Sequence, residues 1–204
     1  NEYELVKLKF IDKNKDKLQV VKEVLELMGP TEIDDNFIGT RWSKLLVNSA
    51  FSGMSTVLGA TFGEVAKNKK SRKYAQALIK ECIDVCKAQN IKLEPIQGKD
   101  VAKLMDYNCW LKKKFVFIIL PMAIKKHALI KASMLQDIEK GKKCEIEAIN
   151  GVVSRKGKEF NVKTPVNDKV IEIKKPEKIP GIISGITTFH KACIGVAPKS
   201  RAAS

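Results

Sequence analysis

Lys44 stands almost alone in a long stretch without charge. The stretch from Trp42 to Gly63 holds this single charged residue, although 30% of the residues in the chain are charged. At helical spacing, Asn48, Ser52 and Ser55 fall on the same face as Lys44, and large apolar side chains fall on the opposite face. Two interpretations fit: a lysine that points into a polar cleft, or a central buried helix from whose start the lysine reaches out to solvent.

Glu145 is a second residue whose position asks for a chemical reason. The segment 144–160 has helical spacing, and within it Glu145 falls on the apolar stripe, whereas Glu147 falls on the polar side. A carboxylate in such a place needs a partner. The sequence allows two partners: the backbone amide at the start of its own helix, or a ligand or Lys44 across a cleft.

The elements that would carry these residues begin with a short α/β piece. Alternation of apolar and polar residues over Tyr3–Ile11 predicts a strand, and the residues that follow predict a helix ending at Gly29. The stretch TEIDDNF then predicts a second strand or an extended entry, with capping side chains from Asp34 to Asn36. This order indicates a βαβ-like piece from the end of a larger α/β sheet.

From Ile38 onward the spacing predicts helices and no convincing strand. The predicted helical segments are 42–65, 71–90, 99–114, 116–132 and 144–160. The predicted fold class is therefore mainly α, with a terminal strand–helix piece of a dinucleotide-binding domain at 1–36 and a helical substrate-binding and dimerisation domain at 37–174. Residues 175–204 mix proline, glycine and short apolar pieces without a sustained period, so they form an unassigned tail.

The charge balance is strongly basic but dispersed. The 204 residues contain 38 Lys and Arg against 23 Asp and Glu, which gives a formal net charge of +15. The densest basic run is Lys67–Lys73, and other lysine clusters are scattered along the chain. Aromatic residues make up only 6% of the chain, too few to suggest base-stacking platforms. The composition therefore favours solvated helix faces over a nucleic-acid interface.

Cysteines and apolar runs indicate the compartment. The 5 cysteines form no CxxC pair and only 2 histidines accompany them, so neither a disulfide framework nor a metal site is predicted. Cys82 and Cys86 lie on the apolar face of a helix and are predicted to pack in the core. The most apolar run, Phe115–Ile124, is about half of the ~20 residues needed to span a bilayer and contains Pro121. We expect a cytoplasmic protein without a membrane anchor or signal peptide.

Three motifs together resemble one enzyme family. WxKLLxN at Trp42–Asn48, SMLQDIExGKxxEIExINGxV at Ser133–Val153 and TPVN at Thr164–Asn167 closely resemble the C-terminal domain of ketopantoate reductases (2-dehydropantoate 2-reductases). The resemblance extends from about Leu5 to about Ile173. It implies a helical domain like that of 6-phosphogluconate dehydrogenase, preceded by the end of a Rossmann domain.

The resemblance also implies an activity. Such enzymes use NADPH to reduce the 2-keto acid ketopantoate to pantoate for coenzyme A synthesis, and they commonly form homodimers through this domain. No GxGxxG loop occurs in the 204 residues, so NADPH would be bound mainly by a domain absent from this chain, and the chain alone would be inactive. The alternatives are a free-standing helical dimerisation or partner-binding module without catalytic activity and, least favoured, a basic nucleic-acid-binding domain.

The resemblance assigns roles to five residues. Lys44 would donate the proton or hydrogen bond that stabilises the carbonyl oxygen during hydride transfer. Asn48 would bind substrate, and so would Ser52, which occupies the position where the family often has a second asparagine. Ser133 would bind the substrate carboxylate. Glu145 would bind the substrate hydroxyl and help to order the cofactor side of the site.

Overall fold

A small parallel βαβ unit opens the described part of the protein. The computed structural model describes residues 6–8, 15–96 and 98–173, with side chains from residue 17 onward. Strand β1 (Val6–Leu8) pairs in parallel with β2 (Thr31–Ile33), and helix α1 (Lys15–Glu26) connects them. This is the predicted arrangement, although only the middle of the predicted first strand lies within the described residues.

Helix α2 (Phe37–Val47) begins at a cap that the sequence predicts. The side chain of Asn36 accepts a hydrogen bond from Gly39 N at 3.2 Å and donates one to Lys92 O at 2.8 Å. The second contact requires a glycine in the first turn, since a Cβ on Gly39 would lie 2.1 Å from Lys92 O. The helix therefore begins well before Trp42, the first residue of the predicted segment.

Helix α2 continues through a π turn (Asn48–Ser52) into α3 (Gly53–Leu58). It ends at Gly59, whose φ of 63° lies in the left-handed region that favours glycine. Helix α4 (Phe62–Lys67) then starts with a capping box between Thr61 and Glu64. The single helix predicted over 42–65 is therefore wrong at its C-terminal end. Apolar spacing on both sides of Gly59 conceals the break.

Six further helices complete the described fold. They are α5 (Lys69–Ala88), α6 (Val101–Met105), α7 (Trp110–Ala123), α8 (Ser133–Glu139), α9 (Ile146–Glu159) and α10 (Pro165–Glu172), with a 3₁₀ turn at Lys125–His127. The predicted segment 99–114 is divided between α6 and the start of α7, and the predicted segment 116–132 extends past the end of α7. Helices α8 and α10 contain 7 and 8 residues, too few turns for a clear apolar period.

The core lies where the α2–π–α3 helix crosses α5. Ala50, Met54 and Leu58 are fully buried on the first helix, and Leu78 and Cys82 are fully buried on the second. The predicted core packing of Cys82 and Cys86 is confirmed, and a hydrogen bond from the Cys82 thiol to Cys86 together with burial raises the pKa of Cys82.

The mainly helical fold class is confirmed by this architecture. Within the described ranges, no helix is both long and apolar enough to cross a bilayer. The division at residue 36 and the boundaries of the helical domain stay predictions. The predicted tail, residues 175–204, lies outside the described residues.

Candidate active site

Lys44 and Asn48 lie one regular helical turn apart. The backbone N–H of Asn48 donates to the carbonyl of Lys44, so the helix is still α-helical between them and the two side chains share a face. Lys44 is exposed in the last turn of α2, and Asn48 is half-buried as the first residue of the π turn. The structure thus brings together the first two residues of the predicted polar face.

Beyond Asn48 the residues of the predicted polar face are buried. Ser52 is only 8% exposed, and Ser55 is fully buried, where it donates to Ala60 O and accepts from Ala132 N at 3.3 Å. Every residue from 49 to 58 is buried. The regular wheel fails here because the π turn adds about one residue to a turn and rotates everything after it. Of the two interpretations of this stretch, the central buried helix therefore describes residues 49–58.

Ser133 is placed beside this helix by its neighbour in the chain. It is the exposed first residue of α8, directly after Ala132, whose N–H donates to Ser55 Oγ. Helix α8 packs against α3 and the π turn. The loop before α8 is therefore fastened to the helix that begins with Lys44 and Asn48.

Glu145 does not lie on an apolar stripe, which corrects the prediction. Helix α9 begins at Ile146, so Glu145 is its N-cap residue, exposed and without a side-chain capping bond. The predicted segment starts two residues before the helix does, and the buried stripe is formed by Ile146, Asn150 and Val153, all fully buried. Of the two partners that the sequence allowed for Glu145, the capping amide of its own helix is not bonded to it at the described helix start. Its carboxylate instead faces solvent at the beginning of α9.

Asn150 connects α9 to the π turn. Its Nδ2 donates to the backbone carbonyl of Ser49 at 2.9 Å and to Asn167 Oδ1 at 3.0 Å. Ser49 follows Asn48 directly, and Asn150 lies just over one helical turn beyond Glu145. One buried amide therefore fixes the relation between the elements that carry two predicted site residues.

Glu81 is a buried carboxylate that the sequence analysis missed. It is 9% exposed on α5, where it accepts hydrogen bonds from Val166 N, Asn167 N and Asn167 Nδ2 at 2.8–3.0 Å. Burial raises its pKa to about 7 against the opposing effect of these three donors. The available signal was its place between Leu78 and Cys82 on the apolar face of α5; Asn150 gives the same signal on α9.

The exposed Lys44 can donate a hydrogen bond or proton to an electron-rich oxygen, and the Asn48 amide can both donate and accept. Within the described ranges, no group of three His, Cys, Asp or Glu could hold a metal ion. These residues could contact only one end of a dinucleotide. Its pyrophosphate needs a glycine-rich strand–helix turn, which the 204 residues do not contain.

Comparison with known proteins identifies a family over most of the chain. Residues 36–177 match the family described as "Ketopantoate reductase PanE/ApbA C terminal". A 2-dehydropantoate 2-reductase of Archaeoglobus fulgidus is 28% identical over 170 residues, which cover 82% of this chain and 49% of the relative. The enzyme of the same name from Pyrococcus horikoshii is 29% identical over 156 residues, covering 74% of this chain and 44% of the relative. The chain thus spans about half the length of these relatives.

Solved structures share the fold. A D-mandelate dehydrogenase in complex with NADH and anilino(oxo)acetate superposes with a TM-score of 0.64 at 22% identity, covering 91% of this chain and 68% of that protein. A ketopantoate reductase of Ralstonia eutropha superposes with a TM-score of 0.61 at 18% identity, covering 91% and 52%. A structure described as dimeric ketopantoate reductase from Staphylococcus aureus gives 0.63 at 15%, covering 91% and 55%. With its sequence match over residues 36–177 and this helical architecture, the chain belongs to the ketopantoate reductase C-terminal family.

Proposed function

We propose that this chain is the substrate-binding half of an NADPH-dependent 2-dehydropantoate 2-reductase, which reduces ketopantoate to pantoate in pantothenate and coenzyme A biosynthesis. The observation that carries the proposal is the pair formed by Lys44, exposed at the end of α2, and Asn48, one turn later at the entry to a buried π turn. Family membership and relatives named 2-dehydropantoate 2-reductase support this choice of substrate.

Lys44 is the proton donor in this proposal. Its ammonium group donates a hydrogen bond to the keto oxygen, stabilises the negative charge that develops there, and transfers a proton to give the hydroxyl. The fully buried residues beyond Asn48 exclude water from one side of the site, which strengthens the interaction. NADPH, held mainly by a domain outside this chain, supplies the hydride.

The remaining site residues bind and orient the substrate. Asn48 contacts substrate oxygens and keeps Lys44 aligned with the carbonyl. Ser133, exposed at the first position of α8, binds the substrate carboxylate. Glu145, exposed at the start of α9, binds the substrate hydroxyl and contacts the cofactor side. Ser52 is 8% exposed, so its hydroxyl reaches the substrate only at the base of the cleft.

The opening βαβ unit belongs to a dinucleotide-binding domain in this proposal. Parallel sheets are normally covered on both faces and contain more than two strands. Helix α1 nevertheless exposes the apolar side chains of Val20 and Val24, and the turn after it exposes Leu27 and Met28. A larger Rossmann sheet that continues from residues 1–36 would cover this surface, and residues 37–174 would form the substrate-binding and dimerisation domain.

A homodimer is the proposed assembly, with contact through α7. This helix buries Val116 and Leu120 against the core and exposes an apolar face to solvent. The face consists of Trp110, Leu111, Phe115, Ile118 and Met122, each more than half exposed. Contiguous apolar surface of this kind marks an interaction site, and a second copy offers a self-complementary one. The dimeric description of a protein with the same fold supports this choice.

The proposed activity is tested with the complete protein that contains this chain. We expect loss of NADPH absorbance on addition of ketopantoate, slower loss with NADH, and a much lower kcat/KM for a 2-keto acid with an aromatic substituent. The 204-residue chain serves as the control and should show no turnover. Efficient reduction of the aromatic acid in preference to ketopantoate would contradict the proposed substrate, and no turnover of either acid would contradict the proposed reaction.

A further inference from the structure

The π turn leaves a backbone carbonyl available at the edge of the site. In an α-helix the N–H of Gly53 would donate to the carbonyl of Ser49. Here that N–H donates instead to the carbonyls of Asn48 and Ala50, which bypasses Ser49. The regular partner of Ser49 O is therefore lost one residue after Asn48. A buried carbonyl without its regular partner needs a replacement donor.

Asn150 supplies a replacement donor from α9. Its Nδ2 lies 2.9 Å from Ser49 O, across 101 positions of sequence, and the Asn150 side chain is fully buried. The second hydrogen of the same amide goes to Asn167 Oδ1 at 3.0 Å. Both donor hydrogens are therefore used on acceptors in different elements. An aspartate in this position would have no hydrogen to donate and a leucine would leave both acceptors unpaired.

Glycine at position 53 allows the two elements to approach this closely. A Cβ on Gly53 would lie 2.7 Å from Asn150 Oδ1 and 3.0 Å from Asn150 Nδ2. The carboxamide thus lies flat against the backbone of the residue whose N–H bypasses Ser49. No side chain larger than hydrogen fits without moving α9 away from the π turn.

The Asn150 side chain is held in place by Asn167 of α10. Asn167 accepts from it through Oδ1 and donates through Nδ2 to Glu81 Oε2 at 2.8 Å. The chain of bonds runs from the π turn through α9 and α10 to the buried carboxylate on α5, and Asn150 and Asn167 are both fully buried. Both hydrogens of Asn150 Nδ2 are used, on Ser49 O and Asn167 Oδ1, whereas Asn150 Oδ1 is buried without a hydrogen-bond partner, so the orientation of this side chain is fixed by its two donor bonds.

We propose that Asn150 is a positioning residue, whose carboxamide holds the π turn that begins with Asn48 and the start of α9 that carries Glu145 in one fixed relation. The inference rests on the proposed function, in which Asn48 and Glu145 both contact the substrate. Asn150 touches neither substrate nor cofactor. It lies about 7.5 Å along the α9 axis from Glu145, at ~1.5 Å per residue, and donates to the residue next to Asn48. A shift of this bond moves both contacts together.

The test compares two buried amides in the complete protein. Asn150→Leu removes the bond to Ser49 O, and Gln76→Leu removes a bond of the same kind, from Gln76 Nε2 to Lys113 O at 2.6 Å between α5 and α7. Backbone hydrogen exchange should rise at least about tenfold over residues 48–53 and 146–150 in Asn150→Leu and stay unchanged there in Gln76→Leu. If Asn150→Leu does not fold, Asn150→Ser removes the amide and leaves room for a water.

Steady-state kinetics supplies the second measurement on the same variants. In Asn150→Leu we expect kcat/KM for ketopantoate to fall at least about tenfold, because Asn48 and Glu145 both contact the substrate. The KM for NADPH should change less than about threefold, because NADPH is held mainly by another domain and only Glu145 contacts the cofactor side. Gln76→Leu should keep wild-type kinetics. Exchange that rises equally in both variants, or turnover that is unaffected while exchange rises over the two site segments, would overturn the positioning role.

Failure of the proposed function gives a different pattern. If the wild-type protein does not reduce ketopantoate, the proposed function is wrong, and exchange alone then decides whether Asn150 holds the two segments. Faster exchange confined to residues 48–53 and 146–150 supports the fixed relation between them. Faster exchange spread evenly over the helical domain overturns it.

Discussion

Asn167 donates its backbone N–H and its side-chain amide to the same oxygen of Glu81, at 3.0 and 2.8 Å. The other oxygen of Glu81 accepts from Val166 N at 2.9 Å. These are N–H groups of the first turn of α10, whose own N-cap residue, Thr164, makes no side-chain capping bond. Glu81 therefore caps α10 from a different helix, with its carboxylate at the positive end of the α10 dipole.

The buried position of Glu81 predicts a pH-dependent stability. Burial raises its pKa in the folded protein to about 7, above the ordinary glutamate value of 4.5. Between these two pH values the folded state binds more protons than the unfolded state, so the free energy of unfolding falls as pH rises from about 4.5 to 7. The decrease attributable to Glu81 should be roughly 3 kcal/mol at most. Urea denaturation at several pH values measures it.

Glu81→Gln keeps the size of the side chain and removes the titration. Its unfolding free energy should lack the decrease between pH 5 and pH 8 that the wild type shows, since ~1.4 kcal/mol accompanies each unit of pKa shift. Glu159→Gln, which changes a carboxylate at the exposed end of α9, is the control and should follow the wild type. A wild-type stability that rises over this range would mean that the three donors outweigh burial and that the carboxylate form is favoured.

Replacement of Lys44 tests the proposed proton donor. Lys44→Met keeps the apolar stem but has no donor, so kcat should fall at least about 100-fold, while the KM for NADPH changes little because the lysine stabilises charge on the keto oxygen. Kinetics of ketopantoate reduction by the complete protein measures both constants. Lys67→Met makes the same charge change in the last turn of α4, where Lys67 is also exposed, and should leave turnover unchanged. Turnover of Lys44→Met within about twofold of the wild type would rule out the donor role.

The sequence predicts the local features of this fold well. Each of these features depends on residues that are close together in the sequence. The parallel βαβ opening follows from alternation, the Asn36 cap from capping chemistry, and the buried face of the central helix from periodicity. Lys44 and Asn48 are also predicted correctly to share a face, because the helix is regular between them.

The missed features depend on distant partners. The π turn is accompanied by a hydrogen bond from Asn150 to Ser49, which are 101 positions apart in the sequence. The cap on α10 joins Glu81 to Asn167, which are 86 positions apart. No 3.6-residue pattern contains either relation. The position of Glu145 was wrong for a local reason: α9 starts two residues after the predicted segment does, and its buried stripe consists of Ile146, Asn150 and Val153, which leaves Glu145 in solvent.

A side chain at position 53 should clash with Asn150. Gly53→Ala would place a methyl group 2.7 Å from Asn150 Oδ1, so it should destabilise the fold by about 1–3 kcal/mol although alanine favours helices. Gly151→Ala is the matched control within α9, where the new methyl meets only the flexible ends of Arg155 and Glu147 at 3.0 and 3.2 Å. It should be neutral or slightly stabilising. Thermal unfolding compares the two variants.

A double-mutant cycle separates this clash from a simple loss of helix stability. In an Asn150→Ser background, Gly53→Ala should cost at least about 1 kcal/mol less than in the wild type, because the carboxamide that it meets is gone. Equal costs in the two backgrounds would show that the close approach of α9 is not what requires glycine at position 53.

The apolar face of α7 predicts a homodimer, and a single charged substitution on this face should prevent dimerisation. Ile118 is 58% exposed at the middle of this face, so Ile118→Lys removes no packing within one copy and should leave each copy folded, with the helical circular-dichroism signal of the wild type. In a dimer the new lysine would be buried between the two copies with an unpaired charge. The same lysine of the second copy would lie nearby and repel it. Light scattering should therefore give a dimer mass for the wild type and a monomer mass for Ile118→Lys. Ala88→Lys adds the same charge at the exposed end of α5 and should remain dimeric; a dimer that survives Ile118→Lys would place the interface elsewhere.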